Sequence, residues 1–114
     1  MTENSALRAT VDTLIGATNA FDVEAALALF TQDAVIDDPS VGERFLRHAG
    51  IRDYLERFFV GYHTVTRVQS VEFLSQAQAR VRVDFTGDFG HEIGFLEMSI
   101  DADGLIVRID AHLE

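Results

Sequence analysis

Two adjacent carboxylates, Asp37 and Asp38, follow the apolar run Ala34-Val35-Ile36 and are closed off by Pro39, the only proline in the chain. A carboxylate at the end of a run that reads as buried is a candidate general acid or base. Loss of solvation favours its neutral form, which suits it to take up a proton near neutrality. Proline fixes its own φ and pushes the preceding residue toward extended geometry, so Asp38 is held at a strand end. Neighbours on a strand point to opposite faces, which turns Asp37 to solvent if Asp38 points inward. A second reading stands beside this one: Asp-Pro marks turns, and Asp38 then anchors a turn by accepting backbone hydrogen bonds. Few donors are visible near it.

His91, between Gly90 and Glu92 at the start of a strand, is the candidate proton shuttle; its plainer reading is an exposed turn residue. His48 and His63 flank a helix, and His112 alternates with Arg108 and Asp110. No two histidines have metal-ligand spacing and no acid cluster joins them, so no metal site is expected. Tyr54 is the best remaining hydroxyl donor near a pocket, its plainer reading being half-buried packing, while Phe30, Phe58, Phe59 and Phe85 are core residues first and substrate contacts second. The chain has no cysteine, which excludes disulfides, thiolate ligands and a cysteine nucleophile. All nine basic residues are arginine, which excludes a lysine Schiff base. No cofactor is expected.

The formal net charge of −10 argues against nucleic acid and anionic membranes as partners, since both require a positive footprint. At 114 residues the chain supports one domain, 1–114, with one hydrophobic core. No apolar run approaches membrane-spanning length, and Met1-Thr2-Glu3-Asn4-Ser5 has no basic segment followed by an apolar one, so a cytoplasmic location is expected.

The elements that must position these residues follow from periodicity. Leu7, Val11, Leu14 and Thr18 recur at helical spacing and predict a helix over about 5–20, capped by Asn4 or Ser5. Asp22 reads as the N-cap of a second helix over 23–30, burying Ala26, Leu27 and Phe30. A short strand ends at Asp38-Pro39, and 40–49 read as a loop with one helical turn. Gly50 opens a third helix over 51–60, and Gly61 stops it. Periodicity then switches to alternation, with strands over 64–74, 78–86, 91–101 and 105–113. Ala79, Val81, Val83 and Phe85 share one face; Arg80, Arg82 and Asp84 take the other. Both faces of the 91–101 strand are apolar, with Ile93 and Phe95 opposite Leu96, Met98 and Ile100, so a second cover is needed. A homodimer through the convex face supplies one. The expected class is α+β: three N-terminal helices packed on the concave face of a curved antiparallel or mixed β-sheet.

The segments 21–39, Gly50-Ile51-Arg52-Asp53-Tyr54-Leu55 and Asp103-Gly104-Leu105-Ile106-Val107-Arg108 resemble the nuclear transport factor two-like superfamily, in particular its SnoaL-like and ketosteroid isomerase-like branches. The resemblance covers nearly the whole chain. It implies a conical fold with a deep pocket, usually in a homodimer, and it places Asp38 where ketosteroid isomerase has its general base. That enzyme's oxyanion hole of a tyrosine and a protonated aspartate has no counterpart here: those positions fall at Leu14 and Leu96, and a further pocket tyrosine falls near Leu55. With Phe30, Tyr54, Phe58, Phe85 and Ile109, these leucines are the expected substrate-binding residues.

What the resemblance implies is a cofactor-independent enzyme of polyketide cyclase or isomerase type. In it Asp38, with His91 as candidate partner, moves a proton on a small apolar or cyclic substrate. Two alternatives stand: a non-catalytic small-molecule-binding or dimerisation module of the same fold, and, more weakly, an epoxide hydrolase. The last is suggested by Arg82-Val83-Asp84, which is similar to the Arg-x-Asp pair of limonene epoxide hydrolase-like proteins. Its last-strand aspartate position falls at Ala111, with Asp110 one residue off.

Overall fold

The computed structural model describes residues 5–114. The cap expected at Asn4 lies outside the described residues. Helix α1 runs Ser5–Asn19 and buries Leu7, Thr10, Val11, Leu14 and Thr18, the stripe its spacing dictates. It ends in a double hydrogen bond, Phe21 N–H to Thr18 O and Asp22 N–H to Ala17 O. Phe21 adopts φ 57° there, a left-handed position more often held by glycine. Asp22 then caps α2, Val23–Leu27, by accepting from the Ala25 N–H at 3.1 Å.

The second helix is shorter than its apolar pattern suggests. Phe30 begins β1, Phe30–Asp38, instead of ending α2, because its backbone is drawn into a parallel pairing with β6. The segment 40–49 is a turn followed by a short strand. The carbonyls of Asp38 and Pro39 accept from Val41 and Gly42 N–H, and Gly42 takes φ 74°. Strand β2, Glu43–Leu46, then pairs antiparallel with the end of β1, Asp38 opposite Glu43. Helix α3 accordingly starts at Arg47 and runs to Leu55, continuing as a π-helical turn over Glu56–Val60. The wider turn brings Phe59 and the following Tyr62 to the same cavity as Tyr54.

Strands β3 (Val65–Phe73), β4 (Gln78–Gly87), β5 (Gly90–Ile100) and β6 (Ile106–Leu113) complete one six-stranded curved sheet in the order β2-β1-β6-β5-β4-β3. The β1–β6 pairing is parallel and the rest are antiparallel. The sheet is mixed and is not closed into a barrel. Ala79, Val81 and Val83 of β4, Leu96, Met98 and Ile100 of β5, and Ile109 and Ala111 of β6 form the inner face and pack with α1 and α3 in one core. Edge strand β3 is tied to α1 by Asn19, whose side chain both donates to the Thr66 carbonyl (2.9 Å) and accepts from its N–H (2.7 Å). A side-chain amide thereby satisfies a backbone donor and acceptor that an edge strand would otherwise leave open.

The outer face carries ion pairs. Arg82 holds Glu114 (2.8 Å) and Gln69 (2.6 Å), Arg80 holds Glu97 (2.8 Å), and Arg108 holds Asp110 (2.9 Å) and Asp37 (3.2 Å). Among the described residues no helix is long and apolar enough to cross a membrane.

Candidate functional site

Asp38 is 7% exposed and sits where β1 meets the Pro39 turn. Three donors converge on its carboxylate. Oδ1 accepts from the Ser40 N–H (3.0 Å) and the Ser40 hydroxyl (2.6 Å). Oδ2 accepts from the Tyr54 hydroxyl (2.7 Å). The sequence suggests few donors here; the turn supplies two because its backbone folds back over the carboxylate, and α3 supplies the third. Asp38 therefore anchors the turn and also lines a cavity.

Of the roughly four lone-pair directions a carboxylate offers, these contacts occupy three, which leaves one on Oδ2. Tyr54 is itself buried, among Phe45, Phe58 and Phe59 at ring-centroid distances of 4.8, 5.3 and 5.9 Å. Burial first, and then the adjacent Asp38 charge, push its phenol well above the ordinary tyrosine value, so it stays protonated and remains a donor.

The cavity that Asp38 faces has a volume of about 460 Å³, inside the range of about 300–1,000 Å³ usual for small-molecule sites. Its walls are the rings of Tyr54, Phe58, Phe59, Tyr62, Phe85 and Phe89, and its polar margin carries Ser40, Thr64, Asp88 and Glu92. The Asp88-Phe89 tip of the β4–β5 hairpin is pinned by a hydrogen bond from the Asp88 N–H to the Tyr62 carbonyl (2.8 Å). Two distant segments thus meet at the mouth.

Five of the residues singled out in the sequence, Asp38, Tyr54, Phe58, Phe59 and Phe85, come together here. Leu14, Phe30, Leu55, Leu96 and Ile109 do not reach it. They surround a separate interior void of only about 30 Å³, near the size of one water molecule. Tyr54 and Phe59 line both spaces and form the partition between them. The deep end of the expected pocket is therefore filled with side chains.

His91 does not join Asp38. It is in phase with Ile93 and Phe95, so alternation sends it outward, where its Nδ1 lies 2.6 Å from Asp84 Oδ1 without hydrogen-bond alignment. Glu92, its neighbour, takes the cavity side. Arg82 and Asp84 are likewise outside the cavity lining, as is Asp110, which is held by Arg108. His48 contacts the Phe30 carbonyl (3.0 Å), His63 pairs with Asp88 (2.9 Å), and His112 is outward near Glu97. Among the described residues no three acids or histidines gather to hold a metal ion.

Ser40, Tyr62, Asp88, Phe89 and Glu92 are cavity residues that sequence reasoning did not single out. For Glu92 the signal was present in the alternation with Leu96 and Met98. For the others it was absent, because they arrive from turns.

No curated protein matches the sequence. Among solved structures, the chain is similar to a provisionally assigned ketosteroid isomerase from Kribbella flavida (20% identity, 100% of this chain and 82% of that one, TM-score 0.86). It is similar to a provisionally assigned polyketide cyclase from Sinorhizobium meliloti (22%, 90% and 93%, TM-score 0.81). It also resembles a Mycobacterium tuberculosis protein in complex with estradiol-17β-hemisuccinate (16%, 94% and 88%, TM-score 0.82). At these identities the likeness establishes the fold. The profile of the SnoaL-like domain matches residues 11–109, nearly the whole chain. With this sheet, these helices and that match, the chain belongs to the SnoaL-like domain family of the nuclear transport factor two-like superfamily.

Proposed function

We propose that this protein is a cofactor-independent small-molecule enzyme in which Asp38 moves a proton on an apolar, ring-containing substrate, in the manner of polyketide cyclases and isomerases. The observation that carries the reading is the buried Asp38 carboxylate, oriented by Ser40 and Tyr54, with one acceptor direction of Oδ2 uncommitted beside a 460 Å³ aromatic cavity. Fixing the carboxylate before substrate arrives lowers the cost of aligning base and C–H bond. The proton passes from a substrate carbon to Oδ2 and is returned to another atom of the same molecule, which leaves Asp38 unchanged.

An enolate formed this way needs a donor at its oxygen. The hydroxyls of Ser40, Tyr54 and Thr64 are committed to Asp38, Asp38 and the Phe58 carbonyl. Tyr62 lines the same cavity and its hydroxyl has no hydrogen-bond partner among the described residues, so it is free to donate to a polar atom of the ligand toward the mouth. The bound steroid ester of one structural neighbour supports a ring system as the cargo.

A non-catalytic binder is the second reading, favoured by the apolar side chains at Leu14 and Leu96. The open cavity speaks against a purely structural module. Half-buried Ile93 and Phe95 on the outer face support a homodimer through that face.

The test is exchange of substrate α-protons in deuterated water, followed by NMR over a panel of cyclic 1,3-diketones and steroid enones. Wild type should exchange at least one of them, and Asp38→Asn should slow it by about 10²-fold or more. Equal rates in the two proteins would remove Asp38 as the base. Binding without exchange in wild type would make the protein a binder.

A further inference from the structure

The cavity has an enclosed end and an exposed end. At the inner end Asp38 is enclosed by Ser40 and Tyr54. At the mouth stand the rings of Tyr62 and Phe89, 6.0 Å apart and edge to face, together with the carboxylates of Asp88 and Glu92. No arginine or histidine is among the residues that line it.

The basic side chains beside these residues already have partners, and one of them occupies Asp88 itself. His63 pairs with Asp88 at 2.9 Å. Arg57 stands over one face of Phe58 (4.9 Å), and its charge is held by Asp53 (3.1 Å) and Glu43 (3.6 Å). Glu92 has no partner among the described residues and stands in register with Phe85, another wall of the cavity.

The geometry points to a cationic substrate: an ammonium or substituted amine carried on an apolar ring system, with the rings toward Asp38 and the positive charge among Tyr62, Phe89 and Glu92 at the mouth. Aromatic faces attract a cation through their quadrupole, and they do so more strongly where water is displaced. An adjacent carboxylate adds a Coulomb term and selects against anions, which would also meet a chain of net charge −10. Asp38 at the inner end is a carboxylate too, but three donors already hold its charge, whereas Glu92 has no partner among the described residues; the positive end of the ligand is therefore drawn to the mouth and the uncharged rings lie toward Asp38. This inference rests on the reading of the cavity as the small-molecule site, but not on Asp38 being catalytic.

Three probes that share a naphthalene and differ in charge test it by calorimetry: trimethyl(2-naphthylmethyl)ammonium, 2-naphthylmethanol and 2-naphthoate. With wild type the cation should bind about tenfold more tightly than the alcohol, and the carboxylate more weakly than either. Glu92→Gln should shrink the preference for the cation to about threefold with little change for the alcohol, and Glu92→Arg should reverse it toward the carboxylate. Added salt should weaken the cation selectively. Equal affinities for cation and alcohol, or a preference that survives Glu92→Arg, would overturn the inference. Binding of none of the three would overturn it together with the cavity's role. A cation preference in a protein that exchanges no protons would sink only the enzymatic reading.

Discussion

The Tyr54 hydroxyl donates to Oδ2 of Asp38 across 2.7 Å, and both side chains are buried, so the phenol and the carboxylate form one unit that joins α3 to the end of β1. Removing either partner leaves the other, buried at the inner end of the cavity, short of a hydrogen bond. Tyr54→Phe keeps the ring packing against Phe45, Phe58 and Phe59 and deletes only the donor. It should cost about 1–3 kcal/mol, read as a lower urea midpoint at unchanged m-value. Asp38→Asn should cost a similar amount, because the amide still accepts from Ser40 but sets an N–H₂ against the Tyr54 hydroxyl, which must turn to accept. An unchanged midpoint in both variants would mean the contact carries no net stability.

The same unit has a signature at high pH. Burial and the Asp38 charge raise the Tyr54 phenol well above the ordinary tyrosine value of about 10. A group whose folded value is raised contributes stability that is fully present below the unfolded value, about 10, and is lost as pH climbs toward the folded one. The chain has two tyrosines, so a Tyr62→Phe background leaves Tyr54 as the single reporter. Its phenolate absorbance should appear only well above pH 10, in step with alkaline unfolding. Ionisation near pH 10 in a protein still folded by circular dichroism would contradict the buried geometry.

Thr66 offers a stabilising change. Its hydroxyl is buried without a hydrogen-bond partner among the described residues and borders the interior void of about 30 Å³. An unsatisfied buried hydroxyl is a cost, and Thr66→Val replaces it with a methyl group against Leu14, Leu96 and Ile109 while leaving the backbone bonds to Asn19 in place. Stability should rise by about 1 kcal/mol in urea denaturation. A fall would show that the hydroxyl is satisfied by an internal water, which that void is just large enough to hold.

Much of the fold was legible in the chain. The spacing of Leu7, Val11, Leu14 and Thr18 is local information about one helix face, and the alternation through Ala79, Val81 and Val83 is local information about one strand. Both survive folding because burying those stripes is the main favourable term available. Asp38 was legible for the same reason: Pro39 acts on its immediate neighbour and needs no distant partner. Strand β2 was not, since only Phe45 of its four residues is buried and no alternation marks it; it exists because β1 offers an edge. Phe30 looked like the end of a helix until its backbone found β6.

The site divides along the same line. By itself the sequence determined that an aspartate is fixed at a strand end and that phenylalanines are plentiful around the third helix. Only the tertiary structure decided that Tyr54 and Ser40 would hold that aspartate, and that Tyr54 and Phe59 would wall off a filled interior from an open outer cavity. It also decided that His91 would face away. Tyr54 reaches Asp38 from sixteen residues away, and Asp88 reaches Tyr62 from twenty-six, through contacts that exist only once the sheet has curved around the helices. Patterns of period two or 3.6 record which face of an element is buried, but carry no record of which element lies against it.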